Sequence, residues 1–87
     1  MLLNLQLSTN DLVNGIEVSY TRKVNGVYGN YTSILEVSPI APTEGTIAKQ
    51  LVQIDLSSFN NLVDGTYRIK FVQGTTVCYY NIIVDLQ

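Results

Sequence analysis

Apolar and polar residues alternate with period two in segment after segment of this chain, and helical spacing is nearly absent. Leu3, Leu5 and Leu7 alternate with Asn4, Gln6 and Ser8 and predict a first strand. Asp11, Asn14 and Gly15 mark a turn, after which Ile16, Val18 and Tyr20 alternate with Glu17, Ser19 and Thr21 in a second strand to about Val24. Asn25-Gly26 between Val24 and Val27 predicts a tight hairpin, because a type I′ turn needs positive φ at both central positions. A third strand covers Val27 to about Val37, with a break expected near Gly29-Asn30. Pro39, Pro42 and Gly45 define a loop in which sheet pairing stops.

The alternation resumes from Thr46 to Leu56, with Val52, Ile54 and Leu56 on one face. Ser57 to Asp64 reads as a connection anchored in the core by Phe59 and Leu62. Tyr67, Ile69 and Phe71 alternate with Arg68 and Lys70, Gln73-Gly74-Thr75 turns the chain, and a last strand runs from Thr76 to Leu86. Its inner face is expected to carry Cys78, Tyr80, Ile82, Val84 and Leu86. Six or seven long strands with short turns predict an all-β, antiparallel sandwich or small barrel. Residues 1–87 are expected to form one domain, with no linker or repeat and with both ends of the sequence reading as strand.

Composition narrows the function classes. Charged residues are 14% of the chain against a usual level of about 25%, so Asn, Gln, Ser and Thr must build much of the surface. A net charge of −2, with Arg22-Lys23 as the one basic cluster, argues against nucleic acid as a partner. No apolar stretch reaches the roughly 20 residues of a membrane-spanning helix, so membrane insertion is not expected. The opening Met1-Leu2-Leu3-Asn4-Leu5-Gln6-Leu7 lacks the features of a signal peptide, which predicts synthesis for the cytoplasm or an assembly built there. The chain has no His, the commonest general base, and a single Cys excludes an internal disulfide.

The segment Leu62-Val63-Asp64-Gly65-Thr66-Tyr67-Arg68-Ile69-Lys70-Phe71 resembles the turn into the penultimate strand of immunoglobulin-like and fibronectin type III-like sandwiches. In those folds a Tyr near the start of that strand bonds back to upstream backbone. Tyr67 matches that position, Gly65 the preceding turn and Leu62 the apolar plug. The resemblance covers roughly the last 40 residues and implies an antiparallel Ig-like β-sandwich of six to seven strands. The chain departs from the pattern in having no Trp and no partner for Cys78. Its Asn25-Gly26 hairpin also pairs two strands directly, which leaves the strand order of the first half open. Small Asn/Thr-rich modules of this kind are similar to those in tailed-phage virion proteins, among them capsid decoration, baseplate and fibre components.

Chemistry-bearing residues are sparse. Asp11, Glu17, Glu36, Glu44, Asp55, Asp64 and Asp85 stand singly, with nothing in their spacing that demands a glycosidase-like pair. Asp64 beside Gly65 reads as a turn former. Ser19, Ser57, Ser58 and Cys78 have no His to activate them, and Cys78 is expected to be buried and inert. Calcium near Asp11-Asn14 or Asp64 lacks a ligand-dense loop, and the sequon Asn30-Tyr31-Thr32 is read as incidental. No catalytic residue, cofactor or metal is assigned.

Six Tyr point instead to surfaces that are apolar yet able to hydrogen-bond. On the last strand Val77, Tyr79 and Ile83 fall opposite the expected core face, as an interface stripe unless a loop or strand covers them. Tyr28 and Tyr31 form a second candidate contact. If that strand lies at a sheet edge, its lack of charge before Asp85 invites pairing with another chain. The expectation is a non-enzymatic structural protein docking on a larger assembly, most specifically a phage virion component located in the virion, with protein partners that include copies of itself. The alternatives are a carbohydrate- or receptor-binding adhesion module, with Tyr28 and Tyr31 stacking on sugars, and a small inhibitor of a host enzyme.

Overall fold

Alternation becomes strand pairing in a computed structural model that describes residues 2–39, 41–42, 45–59 and 62–86. Seven strands are present among the described residues: β1 (Leu2–Thr9), β2 (Ile16–Val24), β3 (Val27–Tyr28), β4 (Thr32–Val37), β5 (Ala48–Asp55), β6 (Gly65–Gln73) and β7 (Thr76–Val84). Every pairing among them is antiparallel. β1 and β5 form a two-stranded sheet. In the five-stranded sheet, β3 and β4 both pair with β2, and the order continues β2-β6-β7. The protein is thus all-β, and one of its sheets curls into a half-barrel.

The turns follow from their residues. Asn25 and Gly26 have φ of 53° and 78°, as a type I′ hairpin requires, and close Val24 onto Val27. The third predicted strand is split into β3 and β4, and a register shift opposite Val18/Ser19 follows the break. β5 stops at Asp55, one residue short of the predicted end. Asp55 Oδ1 accepts from the Ser57 N–H at 3.0 Å and the Ser57 hydroxyl at 2.7 Å, capping a 3-10 turn over Leu56–Ser58. That turn sends both Leu56 and Phe59 into the core. Residues 60–61 of the connection, and Glu44, lie outside the described residues.

One core cluster draws on both sheets: Val52 and Ile54 of β5 meet Val18 of β2, Tyr67 and Ile69 of β6 and Val84 of β7. Ile54, Ile69, Val18 and Val84 are essentially inaccessible, each contributing about 1.5–3 kcal/mol of apolar burial. Tyr20 stacks on Phe59 with ring centroids 3.8 Å apart, and Tyr67 tilts against both rings. Leu62 packs half-buried against this cluster.

The inner face of the last strand needs correction. Val84 is buried and Ile82 half-buried, but Cys78, Tyr80 and Leu86 are exposed. β7 is the outermost strand of its sheet, and Thr76 and Cys78 in its first half line an open groove with Leu7 and Thr9 of β1. Alternation sets which face a side chain takes; whether that face is covered depends on the width of what lies opposite. Cys78 is therefore an accessible thiol. β7 also ends at Val84 rather than Leu86, whose N–H donates to Asp64 Oδ1.

Candidate functional site: the outward face of the five-stranded sheet

Register places the two tyrosine-bearing patches on one surface. Ser19 of β2 is opposite Lys70 of β6, which is opposite Tyr79 of β7. One rung further on, Thr21 is opposite Arg68, and Arg68 is opposite Asn81. Val77 and Ile83 stand at the ends of the same face, across from Val72 and Thr66.

Long side chains bridge these rungs. The Arg68 guanidinium carbon lies 3.9 Å from the Tyr28 ring centroid and 5.1 Å from that of Tyr79, while Arg68 Nε donates to Asn81 Oδ1 at 3.1 Å. Lys70 Nζ lies 4.8 Å from the Tyr31 centroid, and Lys23 Nζ 5.7 Å from that of Tyr28. To reach Tyr28 from β6, Arg68 must cross β2 over Thr21, and Lys70 crosses over Ser19 to reach Tyr31. Ser19 and Thr21 are accordingly buried although they point away from the core. Only small residues fit beneath those bridges.

The result is a surface of three tyrosines clamped by cations, with an uncharged flank on β7. Val77 is 44% exposed, Tyr79 55% and Ile83 83%. β7 carries no charged residue and forms the sheet edge. Tyr28 and Tyr31 are half-buried, with a cation over each ring. Sequence reasoning singled out the tyrosines but missed Arg68 and Lys70. Their alternation against Tyr67, Ile69 and Phe71 already placed them on this face.

The remaining residues have local structural work. Tyr67 is buried; its hydroxyl donates to the Val63 carbonyl at 2.8 Å and accepts from the Val63 N–H at 3.1 Å. Gly65 opens β6 at φ 149°, and a Cβ there would fall 3.0 Å from Arg22 Nε. Arg22 in turn donates through Nη2 to the Asp64 carbonyl. Asp11 accepts from the Val13 and Asn14 N–H groups on Oδ1 and from the Asn14 amide on Oδ2. Those bonds, led by the one from the Asn14 N–H, hold its carboxyl below the usual range. The Ser57 hydroxyl and N–H do the same for Asp55. Among the described residues no cluster of three metal-ligating side chains occurs, and no helix is long and apolar enough to cross a membrane.

Comparison with protein-family models, curated proteins and solved structures finds no match to this chain.

Proposed function

We propose that this chain is a non-enzymatic structural module, an Ig-like β-sandwich that docks on a larger protein assembly through the outward face of β7. The observation that carries this reading is the exposed, uncharged row Val77, Tyr79 and Ile83 on an edge strand. Exposed aromatic and aliphatic residues beside an unpaired strand edge combine apolar burial with backbone hydrogen bonding, the two terms that strand-addition interfaces use. A standard interface takes about 800 Å² from each partner. That is about one-seventh of the 5702 Å² the molecule exposes.

The Ig-like reading draws on two further features. The pairing of β1 with β5, and the run of β2, β6 and β7 beside them, fit the division of strands between the sheets of such sandwiches. The Tyr67–Val63 pair has the hydrogen bonds of a tyrosine corner. The most specific form of the proposal is a tailed-phage virion component, a capsid decoration or tail-associated protein, with protein partners that include copies of this chain. A surface poor in charge suits dense packing against symmetric neighbours. Against catalysis stand the lack of His and the use of Asp11 and Asp55 to hold their own turns.

The test is the double substitution Tyr79→Lys and Ile83→Lys. Both side chains are exposed, so the fold should survive. Co-sedimentation with the assembly should be lost, and retention at the wild-type level would refute the docking face.

A further inference from the structure

The two sheets differ in width, and burial tells on which side the shortfall lies. On β5 the inward residues Ala48, Val52 and Ile54 are buried, whereas Leu3, Leu5 and Leu7 on its partner β1 are only half-buried. The same asymmetry runs across the other sheet. Tyr67 and Ile69 of β6 are buried, but opposite them on β7 Ile82 is half-buried and Tyr80 exposed. In each sheet one strand is thus well covered and its neighbour poorly covered. Leu7 and Thr9 of β1 and Thr76 and Cys78 of β7 line one open groove of about 520 Å³, which joins the two deficits.

The backbone says what belongs there. β1 pairs only with β5 among the described residues, so along its other edge alternate N–H and C=O groups from Leu2 to Thr9 face outward without a strand partner. Such a row is complemented by another extended backbone. β1 carries no charged residue, and among the groove residues only Asp11, at its end, is charged. Apart from Asp11, nothing there would pair a charge that had lost its hydration.

We propose that an extended, uncharged segment of a partner polypeptide, apolar at alternate positions, adds beside β1 and lays its apolar residues over Cys78. This groove is separate from the outward face of β7, and its occupancy does not depend on docking there.

Cys78 supplies the readout, being the one thiol of the chain and exposed in the groove. The probe is a displayed library of random peptides of about nine residues, the length of a long strand, selected against the folded protein. Enriched peptides should be uncharged with alternating apolar residues. As synthetic peptides at saturation they should slow Cys78 modification by a small thiol reagent about tenfold or more, and slow hydrogen exchange at alternate β1 amides. Cys78→Trp, which fills the groove from an exposed position, should weaken their binding about tenfold or more without lowering Tm. Tyr79→Lys with Ile83→Lys should leave it unchanged. The proposal is overturned if no peptide enriches, or if those that do leave Cys78 and the β1 amides unprotected. It is equally overturned if Cys78 becomes protected with rising protein concentration alone, which would assign the groove to a second copy.

Discussion

The Arg68 guanidinium sits 3.9 Å from the centre of the Tyr28 ring, although β2 runs between the strands that carry them. This contact crosses Thr21 and gathers Tyr28 and Tyr79 around one cation. Each cation–π contact at an exposed site contributes about 0.5–1 kcal/mol. Arg68→Ala should therefore lower stability by roughly 1 kcal/mol, seen as a lower denaturant midpoint with an unchanged slope. A double-mutant cycle with Tyr28→Ala should return a coupling of about 0.5–1 kcal/mol. Strict additivity would show that the bridge carries no energy.

Tyr67→Phe keeps the buried ring and removes only the hydroxyl. The Val63 carbonyl and N–H then lose their 2.8 Å and 3.1 Å bonds. The expected loss is about 1–2 kcal/mol, and each kcal/mol should lower Tm by roughly 4–8 °C in a domain of this size. Thermal unfolding followed by circular dichroism checks it. A melting curve like wild type would mean the corner is decorative.

Gly65→Ala should destabilise by about 1–3 kcal/mol, because φ of 149° is strained for any L side chain. The added Cβ would also meet Arg22 Nε at 3.0 Å. If crowding contributes as well as strain, Arg22→Ala should recover part of the loss in the double variant. No recovery would assign the whole cost to backbone strain.

The carboxyls of Asp11 and Asp55 are both held below their ordinary range by hydrogen bonds from their own turns, Asn14 first for one and the Ser57 hydroxyl first for the other. A depressed acid contributes stability that is present above its unfolded pKa of about 3.9. That contribution is lost as pH falls through the folded value. Stability should hold level between about pH 5 and 8, since the chain has no His to titrate there. It should then fall below about pH 4, and Asp11→Asn with Asp55→Asn should flatten the acid limb. An unchanged acid limb in that variant would count against both carboxyls.

Local pattern made the strands legible, and the places where it failed share one cause. Alternation located β2, β6 and β7 to within a few residues, and Asn25-Gly26 located its hairpin, because those signals depend on neighbours in the chain. The pairing of Leu5 with Val52 joins residues far apart in sequence, and no local pattern encodes it. Cys78 shows the consequence. Its face was readable from parity, but its exposure depends on its place on the outermost strand beside an open groove. The candidate face was half legible for the same reason. Val77, Tyr79 and Ile83 share a face by parity alone, whereas Tyr28 and Tyr31 join them only through the cross-strand reach of Arg68 and Lys70.

The central claim is that this protein works as part of a larger assembly, and fractionation of its source lysate by particle size tests it most directly. The account predicts that its peptides, identified by mass spectrometry, sediment with large particles in a fixed ratio to a coat protein. Peptides found wholly in the soluble fraction would contradict it.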